Sequence, residues 1–107
     1  MKYILLTTLL LAQLFALSPE AQKTIAKGKA LFEGSGCTNC HEREDYHEIR
    51  GGPSLKGVTS RRSIAYIRDA IVYPEKDTAK NFKEGMMPKF DFSPEEVTAL
   101  IIYLGTL

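Results

Sequence analysis

The stretch Cys37-Thr38-Asn39-Cys40-His41 decides how the rest of this chain is interpreted. Two cysteines three positions apart, with a histidine directly after the second, are typical of a c-type haem attachment site. The chemistry accounts for the spacing, because both thiols must reach the vinyl groups on one edge of the same porphyrin while the adjacent imidazole lies under the iron. The sequence therefore predicts one covalent haem on Cys37 and Cys40, with His41 as an axial ligand of the iron.

Other uses of these residues agree less well with the surrounding sequence. A thioredoxin-like redox pair belongs beside a strand-helix-strand pattern, which the sequence around Cys37 does not show. A zinc site that added His47 to this pentapeptide would place its second ligand pair much nearer to the first than zinc fingers do. A disulfide between Cys37 and Cys40 would close a very small loop and stabilise the fold little.

The amino-terminal segment has the layout of a secretory signal. Met1-Lys2-Tyr3 supplies a positive start, and residues 4–17 form an apolar run interrupted by two threonines and a glutamine. The run is shorter than the roughly 20 apolar residues that span a bilayer. We expect residues 1–17 to be a signal peptide and residues 18–107 to be the mature domain, exported to the periplasm or another extracytoplasmic compartment. An uncleaved anchor is the alternative, because Leu14 is large where signal cleavage prefers a small residue.

Composition limits the chain to one small domain. It has 107 residues and a formal net charge of +1. The chain therefore lacks the large excess of positive charge that would indicate a nucleic-acid partner. A domain of this size buries only about 60% of its unfolded surface and often recruits a cofactor, here a porphyrin, to complete its core. Acidic residues follow the haem motif and lysines lie in a later loop, which we interpret as solvated surfaces or, alternatively, as a charge dipole that orients a redox partner. These residues are Glu42, Glu44, Asp45 and Glu48, and Lys76, Lys80, Lys83 and Lys89.

The mature region begins with the pattern of an amphipathic helix. Ser18 suits the N-cap and Pro19 the first helical position, and apolar residues then recur at helical spacing. Gly28 lies on this apolar face, where a mid-helix glycine costs about 1 kcal/mol relative to alanine. We therefore expect another helix to approach closely at Gly28, and we expect Gly34 and Gly36 to end the helix.

Two more helices are predicted, and no convincing strand. Isoleucines keep helical spacing from Ile64 to Ile71, until Pro74 stops the helix. Ser93 and Glu96 form a capping box at the start of the last helix. Its buried stripe consists of Val97, Leu100, Ile101 and Leu104, flanked by Tyr103. The preceding connection, residues 75–92, is long enough to suggest a function and contains Met86-Met87-Pro88.

Taken in order, these features make the chain resemble a class I cytochrome c over nearly all of its mature length. The features are Gly28 with Phe32, Cys37 to His41, Gly52-Pro53 with Leu55, and Met87-Pro88 before a last helix that carries Tyr103-Leu104. The resemblance implies an all-α cytochrome c fold, with three to four helices wrapped around one covalently attached haem. It also implies that the first and last helices cross at Gly28, with Phe32 and Tyr103 packed at the crossing.

The resemblance implies roles for individual residues around the iron. The carbonyl of Pro53 would accept a hydrogen bond from the second ring nitrogen of His41 and so orient the imidazole. Met87 would be the distal ligand, because the family places this ligand directly before a proline, and Met86 would be packed or partly exposed. Leu55 and Phe90 would pack against or near the porphyrin.

Three polar side chains are candidates for contact with the haem propionates. Arg61, Arg62 and Tyr66 could donate hydrogen bonds to these partly buried charges, although a solvated helix start explains the two arginines equally well. His47 is a rival distal ligand, but it follows His41 by only six positions. It is therefore too near to reach the opposite face of the iron, and we expect it on a surface loop.

The implied function is one-electron transfer between redox enzymes by a small soluble protein. We expect no catalysis, since an iron with both axial positions filled does not readily bind substrate. Electrons would pass through the porphyrin edge beside Cys37 and Cys40, where a partner protein docks transiently. The alternatives are a haem protein that binds gases or small ligands, a fixed cytochrome subunit of an oxidase or dehydrogenase, and a zinc-stabilised module. No nucleic-acid partner is expected, and membrane attachment only if the amino-terminal segment is retained.

Overall fold

The computed structural model describes residues 18–44, 51–76, 82 and 85–107. The predicted signal peptide, residues 1–17, lies outside this part of the chain. The described residues form helix α1 (Pro19–Gly34), a 3₁₀ helix (Cys37–Asn39), α2 (Val58–Arg61), α3 (Ile64–Val72) and α4 (Pro94–Leu104). They contain helices, turns and loops without a strand, so the all-α prediction is confirmed for them. None of these helices combines the length and the hydropathy that crossing a bilayer would need.

The first and last helices begin at the predicted caps. The hydroxyl of Ser18 accepts a hydrogen bond from the Ala21 N–H at 3.1 Å. At α4 the capping box is complete, since Ser93 accepts from the Glu96 N–H at 3.1 Å and the Glu96 carboxylate accepts from the Ser93 N–H at 2.9 Å. The bond from the Ser93 backbone is the main reason that the pKa of Glu96 lies below its usual value. These bonds satisfy N–H groups that the first turn of a helix leaves without a partner.

The core lies where α1 crosses α4. A Cβ at Gly28 would lie 2.1 Å from the Ala99 carbonyl oxygen and 2.7 Å from the Tyr103 Cβ, so only glycine permits this approach. Beside it, the rings of Phe32 and Tyr103 pack with centroids 5.6 Å apart and planes inclined by 53°. The predicted crossing is confirmed. Tyr103 is only 4% exposed, so it belongs to the core instead of flanking it.

Helix α3 packs one face against this core and ends where predicted. Ile67 is buried and Ile71 packs against the core, whereas Ile64 is 50% exposed. Ile64 is the first residue of α3, and the apolar contact begins only one turn later. The helix stops at Val72, two residues before Pro74, in keeping with the restriction that a proline places on the residue before it. The sequence did not predict α2, a single turn that buries Val58.

Candidate haem site

A largely apolar cavity of about 490 Å³ lies beside the crossing of α1 and α4. Phe32, Leu100 and Leu104 form the wall on the side of the crossing. Every residue that the sequence assigns to the cofactor lines this cavity: Cys37, Cys40, His41, Pro53, Leu55, Arg61, Tyr66, Met87 and Phe90. The fold therefore brings together predicted cofactor residues from distant parts of the chain, from Cys37 to Phe90.

A tight turn after α1 places the attachment motif at the cavity. Gly36 adopts a left-handed backbone with φ of 78°, which glycine tolerates without strain and which redirects the chain into the 3₁₀ helix. The His41 N–H then donates to the Cys37 carbonyl at 2.9 Å. Cys37 and Cys40 are free, partly exposed thiols, and burial raises the pKa of the Cys37 thiol. Both cysteines line the cavity, as two thioether bonds to one porphyrin edge require.

The imidazole of His41 is fixed by a hydrogen bond across the site. Its Nδ1 lies 2.8 Å from the carbonyl oxygen of Pro53, which is the bond that the sequence predicted. Because a carbonyl only accepts hydrogen bonds, the proton must be on Nδ1, and Nε2 keeps the lone pair that binds a metal. A Cβ at Gly52 would lie 2.7 Å from the His41 Cε1, so this position needs glycine for the ring to fit.

Two backbone hydrogen bonds hold the histidine segment to the loop that contains Pro53. The Gly52 N–H donates to the Cys40 carbonyl at 3.0 Å, and the Leu55 N–H donates to the Glu42 carbonyl at 2.8 Å. The two bonds lie on either side of His41 in the chain. The position of the imidazole is therefore set by three short contacts to a single loop.

Arg61 has a role at this loop that the sequence did not predict. Its guanidinium donates to the Ser54 carbonyl at 3.1 Å and also to the Lys56 carbonyl. Arg62 lies over the Tyr66 ring, with its Cζ 5.4 Å from the ring centroid. All three predicted propionate partners are exposed at the rim of the cavity. Contact with propionates remains a prediction for each of them.

The two methionines line the same cavity but differ in exposure. Met86 is 48% exposed, whereas Met87 is partly buried. The difference favours Met87 as the ligand, because a thioether that binds iron must lie inside the site. On the same segment Phe90 stacks on Phe92, with ring centroids 5.0 Å apart, and both residues line the cavity shortly before α4 begins.

Arg43 links the histidine segment to the helix crossing, a contact that the sequence did not predict. Its Nη1 donates to the Glu33 carboxylate at 2.8 Å and to the Tyr103 hydroxyl at 3.2 Å. Its Cζ lies 6.0 Å from the Phe32 ring centroid. The hydrogen bond to Tyr103, followed by the one to Glu33, raises the pKa of Arg43. Arg43 thereby joins the segment after His41 to the helix crossing. The sequence signal that could have indicated this role is a basic residue within an acidic stretch.

Several predicted positions fall outside the described residues. They are His47, Asp45, Glu48, Lys80 and Lys83. Within the described ranges, no three or more His, Cys, Asp or Glu side chains form a group that could hold a metal ion. The described members of the zinc alternative, Cys37, Cys40 and His41, therefore do not form such a site by themselves.

The donor set and the shape of the cavity fit a covalently held haem. Two cysteines and a histidine with an oriented imidazole line one largely apolar cavity, and a glycine stands where a larger residue would collide with the imidazole. The thioether of Met87 lies in the same cavity.

Comparisons with known proteins point to the same cofactor. The family model for cytochrome c matches residues 25–107. A protein described as cytochrome c-553-like, from Synechocystis, is 33% identical over 96 residues, which are 90% of this chain and 77% of that protein. The structure of a cytochrome c from Rhodothermus marinus superposes with a TM-score of 0.65 at 27% identity, covering 83% of this chain and 81% of that chain. An engineered form of the Rhodothermus protein, bound to a carbene intermediate, gives a TM-score of 0.59 at 25% identity and the same coverage.

Proposed function

This chain belongs to the cytochrome c family, and on that basis we propose that it is a diffusing one-electron carrier that shuttles between redox enzymes outside the cytoplasm. Membership of the family gives covalently bound haem c as the cofactor and haem-based electron transport as the general activity. The proposal adds the two axial ligands, the docking surface, and the removal of residues 1–17 as a signal peptide.

The observation that carries the proposal is the hydrogen bond between His41 and Pro53. It leaves Nε2 as the ring nitrogen of His41 that can bind a metal, and it fixes the orientation of the imidazole. When bound, the haem iron supplies the exchange of one electron between its ferric and ferrous forms. The protein holds the porphyrin through Cys37 and Cys40, ligates the iron through His41, and keeps water away with the apolar wall.

Met87 is the proposed second ligand, and it determines which kind of haem protein this is. Pro88 fixes the backbone directly after Met87, which limits the positions that the thioether can take. Ligation by methionine and histidine raises the reduction potential of a haem iron. It also fills the sixth position, so the protein would carry electrons and would not bind gases or substrates.

The proposed docking surface is the exposed edge of the attachment motif. Asn39 is exposed, and Cys37 and Cys40 are partly exposed, at the mouth of the cavity. A partner that contacts this edge would come close to the porphyrin without opening the protein. Encounters of this kind are transient and bury little surface.

The proposal is tested on protein produced with haem-attachment machinery. We expect pigment that acidic acetone does not extract, a far-red sulfur-to-iron band in the oxidised protein, and weak carbon monoxide binding in the reduced protein. Met87→Leu should remove the far-red band and allow carbon monoxide to bind, whereas Met86→Leu is the matched control and should do neither. Tight carbon monoxide binding by the unaltered protein would instead favour the ligand-binding alternative, and loss of the band in Met86→Leu would reassign the ligand.

A further inference from the structure

The ring of Tyr73 makes contact with two lysines that lie on opposite sides of the methionine segment. Tyr73 follows the last turn of α3 and is 40% exposed. The Nζ of Lys76 lies 4.4 Å from its ring centroid, and the Nζ of Lys89 lies 5.7 Å from the same centroid. Both distances are within the range of a cation–π interaction, which extends to about 6 Å. The three side chains form what we call the Tyr73 clamp.

The Tyr73 clamp lies outside the cavity, but its two lysines flank, in sequence, residues that line the cavity. Between the two lysines, the described residues that line the cavity are Phe82, Gly85, Met86, Met87 and Pro88. Tyr73, Lys76 and Lys89 are not among the lining residues. The three side chains of the clamp therefore do not border the space that a bound group would occupy, whereas the described residues between the two lysines do.

We propose that the Tyr73 clamp positions the thioether of Met87, so that Tyr73 is a positioning residue for the distal ligand. The inference rests on the proposed function, because it takes Met87 as that ligand. Lys89 follows Met87 by two residues, and the intervening Pro88 has a fixed φ. Holding Lys89 against Tyr73 therefore restricts where the Met87 sulfur can lie.

The other end of the segment is restricted in a similar way. Lys76 lies on the same ring, and Pro74, next to Tyr73, lines the cavity. Contact of both ends with one ring lowers the entropy that the segment loses when Met87 binds the iron. Two cation–π contacts at exposed positions together shift such an equilibrium by about tenfold.

The experiment is an equilibrium titration of the oxidised, haem-loaded protein with imidazole, which competes with the thioether for the iron. We expect Tyr73→Leu to bind imidazole about tenfold more tightly than the unaltered protein, by loss of both contacts. Tyr73→Phe keeps the aromatic face and should behave like the unaltered protein. Lys89→Gln removes one contact and should have an effect of about threefold. Lys29→Gln, which removes an exposed lysine of α1, is the matched control and should have none.

A purely structural role for Tyr73 would give a different result. Tyr73→Leu would then lower the thermal midpoint without changing the imidazole affinity, and that outcome would overturn the Tyr73 clamp. An effect of Tyr73→Phe as large as that of Tyr73→Leu would also contradict it, because the ring is retained. Should Tyr73→Leu not fold, Lys89→Gln against Lys29→Gln decides the question.

Failure of the proposed function can be distinguished from failure of the clamp. If the unaltered protein binds imidazole as readily as Met87→Leu does, Met87 is not the ligand. The ligand assignment and the Tyr73 clamp are then both wrong. If the unaltered protein resists imidazole and the Tyr73→Leu and Lys89→Gln variants resist it equally, the ligand assignment stands and the clamp alone is wrong.

Discussion

The two sides of the cavity are built by different means. On the histidine side, three hydrogen bonds of 2.8 to 3.0 Å connect residues 40–42 to residues 52–55, and Gly52 leaves room for the ring. On the methionine side, the described contacts are two lysines on one exposed tyrosine and a stacked pair of phenylalanines before α4. Breaking a hydrogen bond inside a site leaves a donor or acceptor unsatisfied at a cost of about 1–3 kcal/mol, whereas an exposed cation–π contact contributes about 0.5–1 kcal/mol. The histidine ligand should therefore stay in place while the methionine ligand is the one that exchanges.

The largest effect is expected from a substitution that fills the space beside His41 on the histidine side. Gly52→Ala places a Cβ at 2.7 Å from the His41 Cε1, so the ring or the loop must move. Overpacking of this kind costs about 1–3 kcal/mol. We expect the free energy of unfolding in urea to fall by that amount, together with the share of the protein that carries haem. Gly34→Ala, where a Cβ meets nothing within 4 Å, is the control and should lose no stability.

A backbone change on the methionine side tests whether the two sides of the cavity differ in rigidity. Gly85 has a φ of 74° and open space around it, so Gly85→Ala is opposed by backbone strain alone, at about 1–2 kcal/mol. If the methionine side is the more easily displaced of the two, the segment should relieve this strain by releasing Met87 from the iron. We expect a weaker far-red band and a smaller loss of global stability than for Gly52→Ala. Equal losses of global stability with an intact band would argue that both sides are equally rigid.

Arg43 tests whether the rigidity of the histidine side depends on the helix crossing. Arg43→Gln removes the ion pair with Glu33 and weakens the contact with the Tyr103 hydroxyl, both at a partly exposed position. We expect a loss of about 1 kcal/mol in the free energy of unfolding, with the far-red band unchanged. Arg43→Lys keeps the charge and should recover part of the loss. A weakened band in Arg43→Gln would show that the crossing also supports the methionine side.

Much of this architecture could be predicted from local sequence. The cap at Ser18, the capping box at Ser93 and the end of α3 depend on residues within a few positions of each other, and the periodicity of α4 indicated its buried face. The hydrogen bond from His41 to Pro53 spans 12 positions, and it followed from the resemblance to a family instead of from spacing.

The contacts that were missed join residues far apart in the chain. Arg43 and Tyr103 are 60 positions apart, and nothing in the local pattern of either residue indicates the other. The need for glycine at position 52 is similar, since the sequence indicates a turn there but not that the His41 ring occupies the space of the missing side chain. Contacts between distant segments are set by how the helices pack, and a single sequence does not encode that packing in a local pattern.

The smallest expected effect concerns the point where the methionine side joins α4. The carboxylate of Glu96 accepts a hydrogen bond from the Ser93 N–H, and its pKa is lowered in the folded protein chiefly for this reason. A carboxyl whose pKa is lower in the folded than in the unfolded state contributes stability above the unfolded value, about 4.3, and the contribution disappears as the pH falls through the folded pKa. Glu96→Gln keeps a side-chain acceptor but does not titrate. The thermal midpoint of the unaltered protein should therefore exceed that of Glu96→Gln slightly at pH 6, and the difference should disappear as the pH falls through the folded pKa of Glu96. A difference that persists at low pH would mean that the charge of Glu96 is not what stabilises the start of α4.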